Sequence, residues 1–340
     1  MGQLQYCPYT YAKNDIWDQI HHYGFLDPYF HIAEQYGFAN WMFQTHQGPS
    51  QEAHLFLFAG TSAPTNDTQV LCYDPQTQQN YPCYQWFAAE NAYLPMKGDP
   101  AGCTAPSGIS VWDLPPATSQ YPNPAEQTVY NNGYPCYSPN TLSDLLDRAG
   151  ISWRYYAANG GFAYWNAPNM IQDICNPSGG DCHYPSNVKV GNPGLMLDDL
   201  GAQGNCDLQA VTWVIPDGSW SDHPGTGSLA AGPSWVAAIV NAVGNYDNSG
   251  NQLRNPPCSD NIQGQQVPYS KDTVVIVTWD DWGGFYDDVL PWRCQSNGIC
   301  AGYPNQPQSA DYVYGFRVPL LVIGAYTKQI CNYSIPNCMG

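Results

Sequence analysis

The sequence predicts an α/β domain in which a mostly parallel sheet is layered between helices. Two observations carry this. Apolar, β-branched runs at Ala210–Pro216 (AVTWVIP), Thr273–Trp279 (TVVIVTW) and Val318–Ile323 (VPLLVI) read as strands buried on both faces. Between the first two, Trp235, Val236, Ile239, Val240 and Val243 recur at helical spacing across Pro233–Val243, which marks a helix packed on that sheet. With 340 residues the chain can bury one large core or two, and we read residues 1–340 as a single domain.

The remaining elements follow in chain order. Residues 27–36 (DPYFHIAEQY) form a short helix, with Asp27 expected at the N-cap, Pro28 in the first turn and Gly37 as the stop. A Gly48-Pro49-Ser50 turn leads into Gln51–Ala59, a second helix ending at Gly60, so that Ser50 stands at a helix N-terminus. Residues from about 61 to 138 are rich in Pro, Asn, Gln, Tyr and Cys with little periodicity. They are too long for a plain connection and read as a disulfide-stapled insertion. Thr141–Ala149 (TLSDLLDRA) is a helix with Leu142, Leu145 and Leu146 on one face and Gly150 after it. It feeds a strand at Ile151–Ala157, completing an αβ unit.

Composition narrows the partners. Ten Lys and Arg stand against 28 Asp and Glu, a formal charge of -18, and such a surface repels a nucleic-acid backbone. Thirteen cysteines lie mostly among Pro, Gly, Asn, Asp and Tyr and include no C-x₂-C pair, so they read as disulfide staples of an oxidising compartment, with one left over. A secreted or periplasmic protein is expected. No apolar run is long enough to span a bilayer. The chain lacks a basic-then-apolar leader and stops in loop-like sequence, so we expect it to be cut at both ends.

The chemistry concentrates where strands end. Asp280 and Asp281 directly follow the most apolar strand, and two adjacent carboxylates there suit a hard divalent ion held through oxygen. Gly283 and Gly284 permit a tight turn beside them. Asp222 and His223 follow the strand Ala210–Pro216 in the same way, and a histidine is suited to protonating an alkoxide leaving group. At the helix N-terminus, Ser50 offers a hydroxyl and His54 lies one turn on, over the same face. His21, His22, His31, His46 and His183 fit no such pattern and are read as structural or exposed.

These segments together resemble the phosphoesterase family of bacterial phospholipases C and acid phosphatases. The run Trp279-Asp-Asp-Trp-Gly-Gly-Phe-Tyr-Asp-Asp288 is similar to that family's acidic Gly-Gly-Phe-Tyr-Asp-His signature. Ser221-Asp222-His223-Pro224 resembles its D-H-P element, Gly315-Phe-Arg-Val-Pro319 its G-x-R-V-P strand, and Gly48-Pro49-Ser50 its nucleophile turn. The resemblance implies an alkaline-phosphatase-like layered sandwich with long disulfide-stapled loop insertions. It also implies a divalent metal (calcium, magnesium or zinc) on Asp280, Asp281 and Ser50, and hydrolysis of a small-molecule or phospholipid phosphate ester with transient contact at a membrane surface. Ser50 is then the nucleophile, His223 with Asp222 assists the leaving group, and His54 contacts the phosphate. The chain departs from the pattern in four places: no Glu-Asn metal motif precedes Ser50, Asp281 replaces a glutamate, Asp288 a histidine, and Ala53 an asparagine. The alternative expectation is an impaired relative that binds a lipid head group or carbohydrate through its 12 Trp and 26 Tyr.

Overall fold

The structure is a computed structural model and describes residues 26–45, 50–62, 102–106, 131–158, 165–225, 231–283 and 315–327, together with Phe285, Asp287, Val289 and the strands at 70–74, 79–83, 87–89 and 111–114. Helix α1 is Asp27–Gln35, followed by strand β1, Gly37–Ala39, and helix α2, Ser50–Ala59. Helix α3 (Leu142–Ala149) leads to β2 (Trp153–Ala158), then β3 (Val188–Gly191) and β4 (Val211–Val214). Helix α4 (Ala231–Val243) crosses to β5 (Val274–Thr278), and β6 (Leu320–Gly324) closes the described chain.

The fold is mixed α/β. One sheet, in the order β3-β2-β4, is parallel, and a second, in the order β1-β6-β5, is antiparallel. Among the described residues the expected continuous sheet is therefore two sheets. The expected strand at 273–279 is present as β5, but its Val274 and Ile276 are 49% and 64% exposed. Burial on both faces is thus corrected: among the described residues β5 is an edge strand, and Val274 and Ile276, which share one face, are exposed.

Aromatic side chains hold the parallel sheet to α2. Phe58, fully buried, meets Trp153, Tyr155 and Trp213 edge-on, at centroid distances of 6.1, 5.4 and 5.0 Å. Each such pair adds roughly 0.5–1.5 kcal/mol beyond its buried area. Helix α4 ties the sheets together, since Ile239 and Ala242 pack with Tyr156 and Leu200 while Val236 and Val240 pack with Leu321 and Ile323. Two charged contacts brace β2: Arg154 reaches Asp199 at 2.6 Å and Asp207 at 2.9 Å.

The helix ends obey local chemistry. Thr141 caps α3 in a reciprocal box with Asp144, and Gly150 closes it in the left-handed conformation at φ 65°, which glycine adopts at no steric cost. The leucine face expected on this helix is not its buried face. Leu142 and Leu145 are 40% and 56% exposed, because the helix packs through Ser143 and Leu146. At α1 the N-cap is Leu26, without a side-chain cap; Asp27 is the first helical residue, where its charge still favours the helix dipole.

The stretch 61–138 contains more regular structure than its composition suggests: an antiparallel hairpin at 70–74 and 79–83, and a three-stranded sheet of 87–89, 111–114 and 131–133. Disulfides join Cys103 to Cys136, Cys175 to Cys182 and Cys206 to Cys258, so at least six of the thirteen cysteines are staples. No helix among the described residues is long and apolar enough to cross a membrane.

Candidate active site

Strand β5 is an unbroken apolar run, and where it ends the chain turns polar at Asp280 and Asp281. The turn is fixed by the backbone N–H of Gly283, which donates to Asp281 Oδ1 at 2.6 Å, and Gly283 takes φ +63°. Helix α2 points its N-terminus at these acids. Ser50, buried in the first turn, donates its hydroxyl to Asp281 Oδ2 at 2.9 Å. One turn on, His54 Nε2 lies 3.4 Å from Asp280 Oδ2. The structure brings Ser50, His54, Asp280 and Asp281 together, although 231 positions separate Ser50 from Asp281.

The two carboxyls are driven apart in acidity. Burial pushes Asp280 up, but the hydrogen bond and charge of His54, with help from Ser50 and the Asp281 backbone, outweigh it and bring the group to about 2. Burial and the neighbouring Asp280 charge raise Asp281 above the usual carboxylate value, only partly opposed by Gly283, Ser50 and His223. A divergent pair of this kind supplies one permanently charged group and one better proton acceptor. The acceptor is the one already bonded to the serine.

Asp222 and His223 reach the same cleft but do different things. The exposed His223 ring lies 5.4 Å from Trp165, its Nδ1 is 3.0 Å from the Pro224 carbonyl, and its charge is felt by Asp281. Asp222, held at φ 61°, accepts the Tyr29 hydroxyl at 2.7 Å. Its carboxylate lies against Gly232 in the first turn of α4, where a Cβ would overlap it. Its described contacts therefore join α1 to α4, and Tyr29 is correspondingly pushed well above its ordinary pKa by burial and by Asp222. His31 and His183 are exposed; His21, His22, His46, Gly48, Pro49 and Asp288 lie outside the described residues.

Sequence reasoning missed Arg317. Its guanidinium binds Asp287 through two parallel bonds, Nε to Oδ2 and Nη2 to Oδ1, both 2.8 Å, and lies 5.7 Å from the Trp41 ring centre. The pair fastens the loop after Asp281 to the segment entering β6. A single arginine between Gly315 and Val318, in a chain with so few cations, was the signal that could have found it.

For a divalent ion the donor set is partial. Asp280, Asp281 and the Ser50 hydroxyl provide oxygens of the kind hard cations prefer, but among the described residues no group of three or more His, Cys, Asp or Glu side chains is arranged to hold a metal ion.

Fold and site together define an α/β protein with a serine presented at a helix N-terminus to a strand-end pair of acids. The chain belongs to the phosphoesterase family: that family's model matches residues 21–253 and 263–334. Among curated proteins it is similar to phospholipase C A of Mycobacterium tuberculosis, 26% identical over 56% of this chain and 35% of that protein. It is similar also to phospholipase C B of the same organism, 26% identical over 67% of this chain and 42% of the relative, and to non-hemolytic phospholipase C of Pseudomonas aeruginosa, 25% identical over 67% and 32%. The matched span is thus about a third to two fifths of each relative's length.

Proposed function

We propose that the protein hydrolyses phosphate mono- or diesters, with Ser50 as nucleophile, on an alkaline-phosphatase-like layered scaffold. The observation that carries this reading is the Ser50 hydroxyl, held at the α2 N-terminus and donating to Asp281. Backbone N–H groups at a helix N-terminus favour phosphate oxygens, and a neighbouring base is what a serine needs to attack. Ser50 Oγ forms a bond to phosphorus in line with the departing ester oxygen, and its proton passes to Asp281 Oδ2. His223 protonates the leaving alkoxide. Water then attacks the phosphoserine and the P–Oγ bond breaks; Asp281 returns its proton to the Ser50 oxygen, the proton released by the water goes to His223, and phosphate or the remaining monoester leaves. His54 keeps Asp280 ionised and oriented; a direct phosphate contact from His54 is the second role it could take as substrate enters.

Asp280, Asp281 and Ser50 would hold the family's divalent ion, with calcium and magnesium best suited to these oxygens. When bound, the ion would stabilise the serine alkoxide and the phosphoryl charge. A phospholipid is the preferred substrate class, by analogy with the relatives' names and because Trp220, Trp235 and Phe285 line the cleft beside the acids. The three disulfides support an oxidising, extracytoplasmic location.

Turnover of phosphorylcholine and p-nitrophenyl phosphate by the full chain, with and without chelator, tests the proposal. Ser50→Ala is expected to abolish chelator-sensitive turnover. Turnover that survives in that variant would overturn the nucleophile assignment.

A further inference from the structure

The three working parts of the proposed mechanism sit on different elements. Ser50 stands on α2, Asp281 follows β5 of the antiparallel sheet, and His223 follows β4 of the parallel one. The hydroxyl bond from Ser50 to Asp281 ties the first two directly. In-line displacement puts the attacking and departing oxygens on opposite sides of phosphorus, so the third part must be held at a fixed spacing from that pair. A misplacement of about 1 Å in such an arrangement costs on the order of 100-fold in rate. Pro224 lies against Gly283, but an apolar contact is not directional.

Tyr29 supplies the direction. It is carried by α1, whose Ile32 is buried with Leu321 and Ile323 of β6, so its backbone moves with the antiparallel sheet. Its ring meets Trp279 edge-on, with centroids 5.1 Å apart, and Trp279 directly precedes Asp280. Its hydroxyl donates to Asp222 Oδ2 at 2.7 Å, and Asp222 directly precedes His223. A single side chain thus touches the residue before each half of the site. Burial and the Asp222 carboxylate hold the phenol far above its ordinary pKa, so it stays a donor wherever an enzyme of this kind would work.

Asp222 passes the constraint on. Its φ of 61° is sparsely populated for a residue with a side chain, although aspartate tolerates it better than most. The carboxylate is caught from two sides, by Tyr29 and by the first turn of α4, where a Cβ on Gly232 would come within 2.0 Å of Oδ1. The turn then sets the ring of His223. The backbone N–H of His223 donates to Ser221 Oγ at 3.2 Å, and its Nδ1 lies 3.0 Å from the Pro224 carbonyl. A carbonyl only accepts, so Nδ1 carries hydrogen and Nε2 is the nitrogen that protonates a leaving group.

We propose that Tyr29 is a positioning residue for the leaving-group acid: its hydroxyl, through Asp222, fixes where His223 stands relative to Ser50 and Asp281. Gly232 serves the same carboxylate from the other side, by leaving room for it. This role rests on the proposed hydrolysis, with His223 as the acid.

The test is leaving-group selectivity. Phosphorylcholine releases an alkoxide, which must be protonated as it departs, whereas p-nitrophenyl phosphate releases a phenolate that is stable without a proton. Tyr29→Phe, which keeps the ring against Trp279, should lower kcat for phosphorylcholine by about tenfold or more beyond any loss with p-nitrophenyl phosphate. Gly232→Ala should do the same, because its methyl displaces the Asp222 carboxylate while alanine favours the helix; this variant decides if Tyr29→Phe fails to fold. In a His223→Ala background, Tyr29→Phe should add less than about twofold. Equal slowing of the two esters by Tyr29→Phe and Gly232→Ala, where His223→Ala does show the selectivity, would overturn the role of Tyr29 and leave the hydrolytic reading standing. Equal slowing by His223→Ala, or no turnover of either ester by the wild-type chain, would overturn that reading and the role of Tyr29 with it.

Discussion

Conservative loss of the fork between Arg317 and Asp287 should be unusually damaging to stability. Both side chains are only 15% exposed, and the two bonds are 2.8 Å each. A charge-assisted hydrogen bond contributes about 1.5–3 kcal/mol, and Arg317→Lys keeps the charge while forfeiting one of the two parallel bonds and the contact with Trp41. We expect it to cost roughly 2 kcal/mol in urea unfolding at pH 7. In a double-mutant cycle with Asp287→Asn, the coupling energy should be about 2 kcal/mol. Burial raises the Asp287 carboxyl, but Arg317 overrides it and holds the group below its ordinary value. The coupling is therefore complete above pH 3.8 and fades as pH falls through the depressed native value. A coupling under about 0.5 kcal/mol at neutral pH, or one that does not change on acidification, would refute the idea that this fork pins the acidic loop to β6.

Other outcomes follow from the same geometry. In chelator, the shift of Asp280 from 3.8 to about 2 corresponds to roughly 2 kcal/mol of stability, present above pH 3.8 and lost as pH falls through 2; acid titration of wild type against His54→Ala should show that limb move upward in the variant. Asp281→Asn, which removes the carboxylate that accepts the Ser50 hydroxyl, should abolish most of the phosphate-ester activity across the whole pH range; activity within about threefold of wild type would refute that role. Opening the Cys206–Cys258 link, which spans 52 residues, should cost about 4 kcal/mol, against about 2.4 kcal/mol for the seven-residue Cys175–Cys182 link; melting of Cys206→Ser and Cys182→Ser would rank them.

What could be read from sequence depended on how local the determinant was. Helix α3 was legible because Thr141, Asp144 and Gly150 mark both its ends within ten residues. Strands β4, β5 and β6 announced themselves by unbroken apolar runs. Strand β3 did not, since Val188–Gly191 is short and carries Lys189, and β1 is three residues with no period at all. The exposed Leu142 and Leu145 show the limit of face-counting: periodicity says which residues share a face, not which face meets the core. At the site, residue types and the family resemblance gathered Ser50, His54, Asp280 and Asp281. The contacts of Asp222 with Tyr29 and Gly232 were not legible, because they are fixed only by tertiary packing. The partner of Arg317 was hidden for the same reason.

The bond from Ser50 to Asp281 joins a residue in the first sixth of the chain to one in the last fifth. A growing or threading chain that has delivered Ser50 but not yet the end of β5 carries an ordinary, unassisted hydroxyl. On the proposed mechanism, activation of Ser50 therefore waits until the chain through the end of β5 has folded. Timing of this kind needs no inhibitor, since it is set by the order in which distant residues meet.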